Sequence, residues 1–223
     1  VTTPTGFAAA GVAAGIKSGE RLDLAVVSNL GPRFAAAGVF TRNRVFAAPV
    51  DWSRRALADG QLRAVVLNSG GANACTGRSG FEDARVMAEK TAAGLGVAAG
   101  DVAVCSTGLI GVRLPVPEVV SGIEQACSRL SRDGGDDAAT AIMTTDTVSK
   151  QAVHHGEGWS IGGMAKGAGM LAPGLATMLV VLTTDADLEA PALDAALREA
   201  SRVSFERADA DGCMSTNDTV LLL

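Results

Sequence analysis

The sequence predicts an α/β (α+β) fold, a mixed-sheet sandwich with helices outside. Three observations carry this. Short apolar runs bounded by glycine and small polar residues recur along the chain, as buried strands do. Between them lie stretches whose apolar residues repeat at helical spacing. Strands clustered near the start, and a hairpin pattern around Gly156, argue for a mixed sheet over a purely parallel one. The 223 residues are 48% hydrophobic but only 4% aromatic, so the core is built mostly from Ala, Val and Leu.

The elements follow in order. Leu22–Ser28 reads as a buried strand, and Ala36–Thr41 and Val45–Trp52 continue the β pattern. Arg63–Asn68 is a short apolar strand running into the loop Ser69-Gly-Gly-Ala-Asn-Ala-Cys-Thr-Gly77, where turn chemistry is the simpler reading and a polar substrate contact the other. Phe81, Ala84, Ala88 and Leu95 then share one helical face. Asp101–Ser106 is a strand ending in Thr107-Gly108. Val119, Val120, Ile123, Ala126, Cys127 and Leu130 repeat at helical spacing, and Asp136–Met143 continues as helix toward Thr144-Thr-Asp-Thr147. Thr147–His155 and Trp159–Met164 form a hairpin about Gly156-Glu-Gly158. Thr177–Thr184 reads as a strand, and Leu193, Ala196, Leu197, Ala200 and Val203 line a last helix. The sequence stops on Thr219-Val-Leu-Leu-Leu223, inside a strand pattern, which suggests a fragment of a longer product.

Composition narrows the function. A net charge of −5, with no basic block or aromatic–arginine platform, argues against nucleic acid. The uncharged run from Gly167 to Thr184 is long enough to raise a membrane span, but its glycines, proline and threonines favour a loop and a buried strand. The four cysteines make no CxxC pair or zinc spacing, and reduced thiols in a cytoplasmic protein are the simplest reading. The only histidines, His154 and His155, are adjacent; on a strand they face opposite ways and cannot easily share a metal. That weakens Ser-His-Asp, Cys-His and zinc chemistry together. No glycine-rich phosphate motif follows a strand.

What remains is acyl transfer without histidine. Lys166-Gly-Ala-Gly-Met-Leu-Ala-Pro-Gly-Leu-Ala-Thr177 joins a glycine-rich loop to an apolar run, with a threonine after a small alanine. If the Ala176–Thr177 bond is cut, Thr177 holds a nucleophilic hydroxyl and an α-amine base on one residue, with an amine pKa near ~8. The plainer reading is a glycine turn feeding a strand. Thr107-Gly108 is a candidate oxyanion hole: a glycine N–H can approach a tetrahedral oxygen, and the threonine hydroxyl supplies a second donor. A plain strand-to-loop turn is the alternative. Lys166 can hold a substrate carboxylate or stand as a surface lysine. Thr144-Thr-Asp-Thr147 caps a helix or places hydroxyls in a pocket.

Together these pieces resemble the ornithine acetyltransferase family, also called bifunctional glutamate N-acetyltransferase, of arginine biosynthesis. The resemblance rests on Gly38-Val-Phe-Thr-Arg-Asn43, Leu67-Asn-Ser-Gly-Gly-Ala-Asn-Ala-Cys-Thr-Gly77, Cys105-Ser-Thr-Gly-Leu-Ile-Gly111 and Ala141-Ile-Met-Thr-Thr-Asp-Thr147. It continues through Gly163-Met-Ala-Lys-Gly-Ala-Gly-Met170, Pro173-Gly-Leu-Ala-Thr-Met-Leu179 and Ser215-Thr-Asn-Asp-Thr219. Each motif is weak alone; in order over nearly the whole chain they are specific. The one departure is Ser149, where a proline is frequent.

The resemblance implies one self-processing acetyltransferase domain over residues 1–223. Cleavage between Ala176 and Thr177 would leave residues 1–176 as α chain and 177–223 as the start of a β chain whose remainder, with further binding residues, is missing. It implies Thr177 as nucleophile, Thr107 and Gly108 as oxyanion hole, and Thr144, Lys166 and Thr177 as substrate contacts. The implied reaction is ping-pong transfer of acetyl from N-acetylornithine to glutamate in the cytoplasm, with no metal or organic cofactor; acetyl-CoA stays open as a co-substrate. The implied partner is the chain's own β chain, in an α2β2 or higher oligomer, with no nucleic acid and no membrane. The implied fold is an α/β sandwich unlike the common N-terminal-nucleophile hydrolases. Two rivals stand beside this: a self-processing N-terminal-threonine aminopeptidase or amidase, and a non-catalytic binding domain.

Overall fold

The computed structural model describes residues 1–170 and 178–223. Two mixed sheets lie face to face. The first holds β1 (Phe7–Val12), β2 (Leu24–Asn29), β4 (Ala64–Gly71) and β5 (Val102–Leu109), in the order β1-β2-β4-β5. The second holds β3 (Ala37–Phe40), β9 (Thr219–Leu222), β8 (Leu179–Thr184), β7 (Ser160–Lys166) and β6 (Lys150–His155), in that order. β4 pairs with β5, and β8 with β9, in parallel; the other pairings are antiparallel.

Side-chain alternation sorts each strand into two cores. Ala25, Val27, Val65, Leu67, Ala103 and Cys105 of the first sheet meet Met164, Leu179, Val181 and Leu221 of the second, with Ala138, Ala139 and Ala141 of α4 (Gly135–Ala141) filling one end. The opposite residues of the first sheet, among them Leu24, Val26, Val66 and Val104, pack on α2 (Gly77–Leu95) and α3 (Val116–Ser128). On the far side of the second sheet, Val180, Val220 and Leu222 pack on Leu193 and Leu197 of α5 (Ala190–Val203). The result is the expected sandwich with helices outside, and its inner layers are small enough for an Ala- and Val-rich core to fill closely.

One expected strand is a helix. Val45–Trp52 alternates in the β manner, yet α1 (Ala48–Ala56) starts there, with a proline in its first turn, Asp51 near its N-terminus and Arg54 and Arg55 in its last turn. Those are helix-start and dipole signals that outweigh the alternation. The helix has a structural task at β5, the edge of its sheet. Trp52 Nε1 donates to the Val102 carbonyl at 2.9 Å. The Ser53 hydroxyl donates to the Val104 carbonyl at 2.7 Å and accepts from the Val104 N–H at 2.8 Å. Two side chains thus stand in for the missing strand neighbour. β6, the edge of the second sheet, is exposed along its whole length and carries Lys150, His154 and His155, polar side chains that discourage further pairing. The two histidines are exposed, as expected for the hairpin. All four cysteines carry free thiols, and burial pushes Cys105 up to about 12, an inert core thiol. No helix among the described residues is long and apolar enough to cross a membrane.

Candidate functional site

The site forms where β4, β5 and β7 end together. β4 and β5 run in parallel to a register shift at Gly70 and Gly71, so both finish on the same rim with their backbones re-aimed by the irregularity. Here Thr107 is 2% exposed, and Gly108 adopts φ 131°, beyond the easy reach of an L side chain. A Cβ on Gly108 would lie 2.4 Å from the Gly70 carbonyl carbon and 2.7 Å from Gly71 N, both backbone atoms. Gly108 is therefore a glycine by steric necessity, as a close backbone approach at this rim requires.

Lys166 ends β7 and faces inward at 2% exposure, not outward as a surface lysine would. Its Nζ donates to Thr107 Oγ1 at 3.1 Å. Burial pushes its pKa down to about 8, against the pull of nearby Asp146, so near neutral pH it is a cation held at some cost. Lys166, Thr107, Gly108 and the half-buried Thr144 line one cavity of about 480 Å³, together with Lys17, Gly70 and Met170. The predicted residues 107, 108, 144 and 166 are thus gathered from three separate stretches of chain. Thr177 and Ala176, the predicted nucleophile and cleavage position, lie outside the described residues.

Two carboxylates that the sequence reading did not single out hold this pocket in shape. Asp146 accepts the Gly167 N–H at 2.8 Å, the Thr144 N–H at 3.1 Å and the Lys150 ammonium. It ties the Thr144 turn to the residue after Lys166. Burial works against its charge, but the Lys150 bond and the two N–H donors hold its carboxyl below the usual range. Asp23, fully buried, accepts the N–H groups of Ala14 at 2.7 Å, Ile16 at 2.7 Å and Lys17 at 2.8 Å. That folds residues 14–17 against Gly70, where a Cβ would meet Ile16 Cγ2 at 2.9 Å. It also brings Lys17 to the cavity wall, where its ammonium donates to the Met143 carbonyl at 2.7 Å. The motif Thr144-Thr-Asp-Thr147 was the available signal for Asp146. Lys17 had none, because its neighbours in the pocket are more than a hundred residues away in part, Met143 among them.

Chemically the pocket offers a buried cation, a threonine hydroxyl bonded to it, and a glycine backbone at the open rim. That set suits an anionic or carboxylate-bearing ligand and a developing oxyanion. Among the described residues no three His, Cys, Asp or Glu side chains group to hold a metal ion.

Solved structures define the class first. The chain superposes on an l-aminopeptidase d-ala-esterase/amidase from Ochrobactrum anthropi, described as a new variant among the Ntn hydrolase fold, with TM-score 0.58 over 100% of this chain and 72% of that one, at 13% identity. The fold of this sandwich is therefore like that variant of the Ntn-hydrolase fold. Within it, the chain belongs to the ArgJ family, whose model matches residues 8–223. It is 66% identical to the arginine biosynthesis bifunctional protein ArgJ of Streptomyces coelicolor and 64% identical to that of Thermobifida fusca, covering 100% of this chain and 58% of each relative. The chain thus spans under two thirds of those relatives' length. A crystal structure of ornithine acetyltransferase complexed with ornithine from Mycobacterium tuberculosis matches with TM-score 0.77 and 56% identity, over 80% of this chain and 95% of that one. One of the ArgJ protein from Bacillus halodurans matches with TM-score 0.69 and 36% identity, over 80% and 94%.

Proposed function

We propose that this chain is the greater part of a self-processing acetyltransferase that moves acetyl from N-acetylornithine to glutamate. The observation that carries the reading is the buried Lys166–Thr107 bond beside Gly108, on the cavity rim of a chain of the ArgJ family. Residues 1–176 are the α chain of one domain and residues 177–223 the start of its β chain. Maturation begins when Thr177 Oγ attacks the Ala176 carbonyl. The peptide nitrogen leaves as the free α-amine of Thr177, and water then opens the resulting ester.

In turnover, Thr177 Oγ attacks the acetyl carbonyl of N-acetylornithine while the Thr177 amine takes the hydroxyl proton. Thr107 and Gly108 donate to the oxyanion, and Lys166 and Thr144 hold the amino-acid end of the substrate. The proton passes to the departing nitrogen, ornithine leaves, and acetyl remains as an ester on Thr177. The glutamate amine then attacks that ester, giving N-acetylglutamate and free Thr177. No cofactor takes part, though acetyl-CoA is a chemically competent second acetyl donor. The enzyme acts in the cytoplasm as an α2β2 or larger assembly.

The test is Thr177→Ala in the full-length protein. Intact mass should find a single uncut chain, and acetyl transfer should be absent. A variant that still splits at this bond sinks the reading. Incubation of the wild type with N-acetylornithine, with and without glutamate, separates transfer from hydrolysis: ornithine release that ignores glutamate identifies an amidase.

A further inference from the structure

Four carboxylates are buried among the described residues: Asp23, Asp83, Asp146 and Asp218. Three have full partners. Asp23 takes three backbone N–H groups, Asp83 pairs with Arg113, and Asp146 takes Lys150 and two N–H groups. Asp218 is different. It is 0% exposed, its Oδ1 accepts one N–H, that of Met178 at 3.0 Å, and its Oδ2 has no hydrogen-bond partner among the described residues. A carboxyl this deep with so few partners is expensive to keep, so its retention needs a reason other than stability.

Its surroundings supply one. Met178 N is the peptide nitrogen that follows Thr177 in the chain. β8 and β9 pair in parallel from Leu179 opposite Thr219, which sets Asp218 beside Met178 just before the ladder begins. The Thr219 N–H donates to the Met178 carbonyl at 3.1 Å, so Met178 is pinned through both its N–H and its carbonyl. Asp218 is itself fixed from the other side, its carbonyl accepting the Thr41 N–H at 2.9 Å. Burial pushes its carboxyl up to about 7, while the Met178 N–H and, from nearby without forming a bond to its second oxygen, the Ser215 and Thr41 side chains and the Lys166 ammonium pull the other way.

We propose that Asp218 is a positioning residue for the Ala176–Thr177 joint: its carboxyl clamps the first peptide N–H after Thr177, at the residue that leads into β8. This rests on the reading of Thr177 as nucleophile. Asp218 acts through the Met178 amide and needs no contact with substrate. Its effect therefore falls on cleavage and on kcat, and leaves KM unmoved.

The experiment compares full-length wild type, Asp218→Asn and Asp218→Ala, following self-cleavage by intact mass and acetyl transfer by steady-state kinetics. Asp218→Ala removes the acceptor and should slow cleavage and lower kcat on the order of ten-fold, the scale of one lost hydrogen bond to a charged group. Asp218→Asn keeps a carbonyl oxygen for the Met178 N–H and should bring both rates back to within about three-fold of wild type. Should Asp218→Ala fail to fold, replacement of Met178 by its α-hydroxy acid turns the Thr177–Met178 amide into an ester without an N–H and should slow cleavage at Ala176–Thr177 to a similar degree. The inference is overturned by Asp218→Ala or the hydroxy-acid protein cleaving at the wild-type rate, or by Asp218→Asn being as slow as Asp218→Ala. A wild type that never splits removes the functional reading and this inference together; a wild type that splits beside an unaffected Asp218→Ala removes the inference alone.

Discussion

Two buried polar clusters sit side by side at the strand ends, and they are built on opposite rules. In the first, Ser106 Oγ donates to Asn68 Oδ1 at 2.6 Å, Asn68 Nδ2 donates to the Gly71 carbonyl at 3.0 Å, and Asn217 Nδ2 donates to the carbonyls of Ala72 at 2.6 Å and Ser106 at 2.8 Å. Every member is neutral and well partnered. In the second, Lys166 reaches Thr107, and Asp218 reaches the Met178 amide with one oxygen unbonded among the described residues. Its members are ionisable and thinly partnered. The two clusters use adjacent residues, Ser106 beside Thr107 on β5 and Asn217 beside Asp218 just before β9; along β5 the alternation of side chains directs neighbours to different surroundings. A satisfied neutral network locks strands together. An under-satisfied charged one stabilises little and stays available for chemistry.

This contrast breaks most easily at Lys166. Lys166→Met should lower acetyl transfer by about a hundred-fold or more, on the scale of a lost charge-assisted substrate contact. Its melting temperature should be unchanged or higher, because a desolvated charge is removed. Loss of folding together with activity would place Lys166 among the structural groups. The reverse holds for Asn217→Ala. It leaves the Ala72 and Ser106 carbonyls buried without their donor and should cost about 1–3 kcal/mol, seen as a melting temperature several degrees lower, while the folded fraction keeps its turnover. An Asn217→Ala protein with native stability would erase the distinction from the other side.

The smallest effect is a pH slope. Lys166 titrates at about 8 in the folded chain, against 10.5 for the ordinary value. Between those values the unfolded chain binds more protons, so the lysine's penalty is full below pH 8 and is relieved as pH rises to 10.5. Wild type should therefore gain stability relative to Lys166→Met across that window. Over the same rise its affinity for a carboxylate substrate should fall as the cation is lost. Parallel stability profiles for the two proteins would mean that Lys166 is better solvated than its surroundings allow.

Much of this was legible in the sequence, and the reasons are local. α2, α3 and α5 announce themselves by helical spacing, and β2, β4 and β5 by β-branched runs. Thr107, Gly108, Thr144 and Lys166 stood out because small, polar and charged residues fell at the ends of such runs. β1 escaped notice because Phe7-Ala-Ala-Ala-Gly-Val12 lacks the branched side chains that mark a strand, and its place is fixed by pairing with β2. α1 is hidden in the sequence because alternation over Val45–Trp52 masks the helix start at Pro49. Asp146 lay within a legible motif, but Asp23 and Lys17 could not be found by pattern, since what gives each its role is the backbone it meets after folding. Asp218 was quoted within a motif, but a motif does not say which amide a carboxylate will reach.

Gly70 and Gly108 face each other across β4 and β5 in register. In most crowded cores a larger residue on one strand can be offset by a smaller one on its neighbour. That route is closed here. What blocks a side chain at Gly108 is the backbone of Gly70 and Gly71, and those positions already carry the smallest residue there is. Genetic drift at this rim therefore has no second-site escape, and any lineage that alters Gly108 must rebuild the ends of two strands or go without the site.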